Sequence, residues 1–202
     1  MSKHAGVRLA RCAVVAWMLQ GATALAQAPP NVSRTALSIG ASAGIVGAGQ
    51  TSRGGGYGPS FAASVDVPVL AGWDVRVWGG TLHWHSAGDW FPGSPYAGRV
   101  SLDHVNVTVV RHYRRPRRHD PAGVYYGMGV GRYRYRIEHG RFTNSDSGGL
   151  NVVVGLQYQK FNRNIGYRVE FQGHVTGGPN HPHIWTNMMP AISLSAGVTR
   201  RF

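Results

Sequence analysis

The sequence predicts an all-β fold: eight antiparallel strands, each joined to the next, closed into an up-and-down barrel. Three observations lead there. From Thr35 onward, apolar and polar residues alternate with a period of two, and a helical period never replaces it. The connections between the alternating segments are short and long by turns. The last segment, Pro190 to Phe202, is a strand that runs to the carboxyl terminus and stops on an aromatic residue.

The segments follow in order. Leu37, Ile39, Ala41, Ala43 and Ile45 alternate with Ser38, Gly40, Ser42 and Gly44, and a Gly-rich loop follows from Gly47 to Gly58. Phe61 to Val69 is the second strand, and a tight turn at Leu70-Ala71-Gly72 leads to the third, which begins at Trp73 and loses clean alternation from Thr81 to His85. After a loop from Ser86 to Gly98, Val105, Val107 and Val109 mark the fourth strand, ended by a turn from Arg114 to Ala122. Val124 to Arg136 is the fifth strand, with a predicted turn from Gly140 to Gly149. Leu150 to Gln159 is the sixth, Tyr167 to Val175 the seventh and Pro190 to Phe202 the eighth. Each segment has about the 9–11 residues that a tilted membrane strand needs. Connections after the second, fourth and sixth strands are short to moderate, and the others are longer. Barrels with short periplasmic turns and long extracellular loops have this order.

The amino terminus reads as a targeting segment. Lys3, Arg8 and Arg11 precede an apolar run from Cys12 to Ala26 that ends in small residues, the pattern of a secretory signal peptide. The run is about 15 residues, short of the ~20 that span a bilayer as a helix. Cleavage is expected after Ala26, leaving residues 27–34 as a linker with Pro29 and Pro30, and 35–202 as the barrel. Cys12 is the single cysteine and lies in the segment expected to be removed, so no disulfide is expected.

Composition agrees with a membrane reading. Charged residues make up 14% of the 202, where about a quarter is usual in a soluble domain. The formal charge is +13, and losing the three basic residues of the targeting segment leaves the chain basic. Such an excess suits an anionic partner. No nucleic-acid motif accompanies it, so lipid phosphates are preferred and nucleic acid is not expected.

The two faces decide between a soluble and a membrane barrel. One face carries Val107, Val154, Leu194 and their neighbours; the other carries Asp66, Arg76, Asn106, Gln157, Gln159, Arg168, Glu170, Gln172, Thr199 and many of the glycines. Aromatics on the apolar face gather at the expected periplasmic ends: Trp73, Tyr113, Tyr126, Tyr158, Tyr167 and Phe202. Amphipathic rings belong at a membrane–water boundary. The polar face is poor in Lys and holds both charge signs, which suits a closed interior where Asp66, Arg76, Arg168 and Glu170 pair off beside Gln157. The expectation is an eight-stranded antiparallel up-and-down transmembrane β-barrel whose interior is filled by side chains.

The pattern, the loop order and the aromatic terminal strand resemble small bacterial outer-membrane β-barrels, in particular the membrane domain of the outer-membrane protein A-like family. That resemblance covers Thr35 to Phe202. It implies an integral outer-membrane location and a closing strand, with Gly197, Arg200 and Phe202, that the assembly machinery reads as a signal. No peptidoglycan-binding domain follows the barrel in this sequence, so that family activity is not implied.

The chemistry on offer is limited. Arg132, Arg134 and Arg136 alternate near the outer end of the fifth strand, with Arg141 beyond, and Arg pairs well with phosphate, so lipopolysaccharide contact is one reading and a solvated strand extension the other. The run Arg114, Arg115, Arg117 and Arg118 reads as a solvated periplasmic turn, with inner-leaflet phospholipid headgroups as the alternative partner. His83 with His85, and His181 with His183, have the spacing for two rings on one face, but no carboxylate or cysteine accompanies them at fixed spacing, so no metal is expected. His174 and Thr176 match the His-x-Ser spacing of a lipid A deacylase family with Thr in place of Ser. They lie on the interior face, so no catalytic residue and no cofactor is expected. The function expected is structural or surface-interacting, with no open pore, as a monomer. Lipid A modification and small-solute passage are the alternatives.

Overall fold

The computed structural model describes residues 37–48, 56–86, 98–137, 145–177 and 188–202. The chain divides into units 1–35 and 36–202, and the signal peptide and linker expectations lie outside the described residues. Eight strands form the second unit: β1 Ser38–Ala48, β2 Gly56–Leu70, β3 Trp73–Ser86, β4 Gly98–Arg114, β5 Ala122–Ile137, β6 Ser145–Lys160, β7 Ile165–Gly177 and β8 Met188–Arg201. Every neighbouring pair is antiparallel, and β8 pairs with β1, so the sheet closes into a barrel. Closure leaves the wall no free sheet edge, which is what lets a sheet sit in lipid.

The stagger of the sheet can be read from its rungs. From Arg200 on β8 the pairing runs through Ile39, Val65, Val77, Val107, Val130, Leu150 and Val175, then meets β8 again at Pro190, ten residues from the start. For eight strands that offset tilts each strand by roughly 40° to the barrel axis.

One end of the barrel has tight connections. Gly72 ends the β2–β3 hairpin at φ +79°, a conformation that suits glycine, and Asn164 takes φ 52° after the 3-10 turn Phe161–Arg163 that joins β6 to β7. The connections after β1, β3, β5 and β7 lie at the other end, outside the described residues.

The apolar series faces outward. Val107, Val154 and Leu194 are each about half exposed, at 47%, 54% and 50%, and do not meet in a core. Asn106, Arg76, Arg168, Glu170 and Gln172 are buried inside. The strands are longer than the alternation suggested. β3 continues unbroken through Thr81–His85, and Ser145 to Gly149 is part of β6 instead of a turn. Alternation of direction persists there, but the faces exchange polarity: Leu82, Trp84, Val100, Leu102, Tyr133 and Tyr135 point inward and are buried. The outward positions between them are held by Thr81, His83, His85, Ser101, Asp103 and the arginines of β5. That part of the wall stands above the apolar belt, so its outer face meets water and its inner face supplies the core.

Candidate functional site

The interior is built in layers. At the level of the belt, Arg76 on β3 donates from Nε to Asp66 of β2 and from Nη1 to Glu170 of β7. Arg168 donates from Nη1 to Asp66 at 3.4 Å and from Nη2 to Ser64 at 2.8 Å. The Tyr125 hydroxyl donates to Glu170, and Gln172 Nε2 donates to the second carboxylate oxygen at 2.9 Å. Two guanidiniums therefore face two carboxylates in a closed space, where either pair alone would leave an uncompensated charge. Gly155 makes the arrangement possible: it pairs with Tyr125 across β5 and β6, and a Cβ there would strike the phenol ring. Gln157 sits opposite Arg168 across β6 and β7, one same-face rung from Glu170, but its amide turns to another partner. Its Nε2 is 3.4 Å from His112 Nδ1, and His112 in turn bonds Asp74 at 2.7 Å, a second polar group nearer the end with tight connections.

Above the charges lies an aromatic and amide layer. Trp78 Nε1 donates to Thr108 at 2.8 Å, Thr108 donates to Asn151 at 2.7 Å, and Asn151 Nδ2 donates to Asn106 at 3.2 Å. His104 and His174 sit with ring centroids 5.1 Å apart. The topmost layer is apolar: Val46, Leu82, Trp84, Leu102 and Tyr135 belong to one buried cluster that caps the interior.

His174 and Thr176 are buried in this interior. His174 Nδ1 meets the Tyr133 hydroxyl at 3.1 Å, and Thr176 bonds the Tyr135 hydroxyl and donates to the Gly177 carbonyl at 3.1 Å. The pair is spent on structure and is closed to a lipid ester. His83 and His85 point outward; His83 Nδ1 is 2.8 Å from Ser101 Oγ. Among the described residues no group of three metal-ligating side chains exists, and His181 and His183 lie outside them.

The outer rim is where the β5 arginines stand. Arg132 Nη2 donates to Asp146 Oδ2 at 2.8 Å and Arg134 Nε to Asp146 Oδ1 at 2.8 Å. Arg136 Nη2 donates to Asp103 at 2.8 Å. Hydrogen bonds from Arg134, then Arg132, hold the Asp146 carboxyl down at about 2. The three guanidiniums form one patch on β4, β5 and β6, above the belt. Arg141 lies outside the described residues. On the closing strand Gly197 faces inward against Ser42, Arg200 stacks over the Phe202 ring at 5.3 Å, and Phe202 N donates to the Leu37 carbonyl at 2.9 Å.

The partners Asp103 and Asp146, the apolar cap and the Asp74–His112 group were not anticipated from the sequence. The one signal that pointed to the cap was the failed alternation after Thr81.

No protein-family model and no curated protein matches the chain. Among solved structures, the chain is similar to Neisserial surface protein A, with TM-score 0.58 and 17% identity over 82% of this chain and 97% of that one. It is also similar to the N-terminal β-barrel domain of Pseudomonas aeruginosa OprF, at TM-score 0.46 and 13% identity over 80% of this chain and 96% of that one. Ail, the attachment invasion locus protein of Yersinia pestis, matches at TM-score 0.46 and 13% identity over 82% and 98%. At such identities the likeness concerns the fold. The fold is an eight-stranded antiparallel closed β-barrel resembling small outer-membrane proteins.

Proposed function

We propose that the chain is a monomeric, non-conducting outer-membrane barrel whose extracellular rim contacts lipopolysaccharide phosphate. The carrying observation is the placement of Arg132, Arg134 and Arg136 outward, next above the lipid-facing Val130 on the same strand. Acyl chains give way to phosphate at that depth, and planar guanidiniums bind phosphate in two-point fashion. Three guanidiniums share two carboxylates there, so the patch keeps positive charge. Export follows signal-peptide cleavage after Ala26, and assembly proceeds through the strand bearing Gly197, Arg200 and Phe202. The ion-paired and apolar-capped interior supports the non-conducting state. The test is retention of lipopolysaccharide by the detergent-extracted barrel. The R132Q/R134Q/R136Q variant should keep its heat-modifiable gel migration and lose most of the bound lipopolysaccharide; equal retention would sink the rim reading.

One observation favours a second reading, passage of small solutes. Buried polar atoms without a protein partner, among them Ser42 Oγ, both ring nitrogens of His104 and Ser195 Oγ, call for internal water. Planar-bilayer conductance separates the two: a silent membrane favours the closed barrel, and steps in current favour passage.

A further inference from the structure

We propose that the periplasmic end of the wall formed by β5, β6 and β7 binds one anionic diacyl phospholipid of the inner leaflet, with an acyl chain in a groove beside Ala122 and the phosphate at Arg117 and Arg118. This rests on the outer-membrane reading and is independent of the lipopolysaccharide rim.

The groove follows from side-chain size. Ala122 opens β5 at an outward position, and it pairs with Tyr158, which pairs with Tyr167. Two large rings beside one methyl group leave a hollow of about 300 Å³, bounded above by Val124, Leu156 and Val169. That volume is at the lower end of small-molecule sites, about 300–1,000 Å³. At the next position Gly123 admits the turn against the strand: a Cβ there would lie 2.6 Å from Pro116 Cδ and 2.7 Å from the Arg114 carbonyl. The hollow is apolar, opens on the lipid-facing wall and lies at the depth of the tyrosine belt. A hydrocarbon chain fits its chemistry, and a free phosphate or a nucleic acid does not.

The charge beside it is uncompensated. Arg114 at the groove edge pairs with Asp120, and Arg115 reaches Asp74. Arg117 and Arg118 are exposed and make no ion pair among the described residues. The neighbouring β6–β7 turn adds Lys160 and Arg163 and no carboxylate. At the opposite rim, each of the three β5 arginines is ion-paired, Arg132 and Arg134 sharing Asp146 and Arg136 meeting Asp103. The unpaired positive charge next to a hydrocarbon-shaped hollow calls for an amphiphile with an anionic head.

The experiment is native mass spectrometry of the full barrel in mild detergent, titrated with phosphatidylglycerol, with zwitterionic phosphatidylethanolamine and with water-soluble glycerol phosphate. The expected result is one retained phosphatidylglycerol, with a preference over phosphatidylethanolamine of roughly thirtyfold from two arginines at a lipid headgroup. R117Q/R118Q should abolish the preference and leave phosphatidylethanolamine retention unchanged. A122W, which fills the hollow, should lower retention of both lipids. Heat-modifiable migration of each variant reports that the barrel is intact, so a loss of the outer-membrane fold is told apart from a loss of the site. Equal retention of the two lipids by the unaltered protein, an unchanged preference in R117Q/R118Q, or binding of glycerol phosphate as strong as of the lipid would overturn the proposal.

Discussion

The same three strands, β3 to β5, pass through two solvents and are built oppositely in each. In the belt, β4 turns Val105, Val107 and Val109 outward and buries Asn106 and Thr108. Farther up, toward the outer loops, β4 turns Ser101 and Asp103 outward and buries Val100 and Leu102. The backbone, the pairing and the side-chain period are continuous through the change. The difference teaches that alternation specifies direction and the surrounding medium specifies which residues go which way. Lipid rewards apolar groups outside and forces polar groups to find one another within. Water reverses the preference, and a small conventional core forms above the membrane.

Four measurements test that contrast. The largest effect is expected at Arg76. R76L leaves Asp66 and Glu170 facing each other with Arg168 alone, and should destabilise the barrel by about 3–5 kcal/mol. Urea unfolding in lipid vesicles reads it. In the upper region the equivalent damage comes from removing grease: L102A at a fully buried position should cost about 2–5 kcal/mol. An arginine scan on one outward face gives the direct comparison. V107R should cost about 2–4 kcal/mol near the bilayer centre. S101R, outward on the same strand but above the belt, should change stability by less than about 0.5 kcal/mol. Similar costs at the two positions would mean that the polarity reversal does not track the membrane surface.

The smallest effect concerns protons. The Asp146 carboxyl is lowered to about 2 by Arg134 and Arg132. A carboxyl depressed in the folded state adds stability above its ordinary value, near 3.9, and that contribution disappears as the pH falls to the folded value. The rim should therefore loosen between about pH 4 and 2. Carboxyl chemical shifts on titration should show Asp146 moving toward an ordinary value in R132Q/R134Q.

Much of this was legible in the residues. Val105, Val107 and Val109 announce a strand with one apolar face, and Ala71-Gly72 announces a hairpin, because both patterns depend on neighbours along the chain. The four interior charges were recognisable as a set because each interrupts a polar face otherwise short of charge. Gln157 was grouped with them by its face; the register sets it opposite Arg168, and its amide reaches toward His112. The apolar cap was misleading in sequence. Trp84 and Leu102 have the residue types of lipid-facing positions, and only their place above the belt sends them inside.

Strand number, side-chain direction and the sorting of connections by length are properties of short stretches, and the order of amino acids carries them without help. Which groups meet inside is a property of closure. Arg76 finds Asp66 ten residues back and Glu170 ninety-four residues ahead, because a ten-residue stagger brings β2, β3 and β7 to one level. No local pattern encodes that stagger; it is settled when β8 pairs with β1.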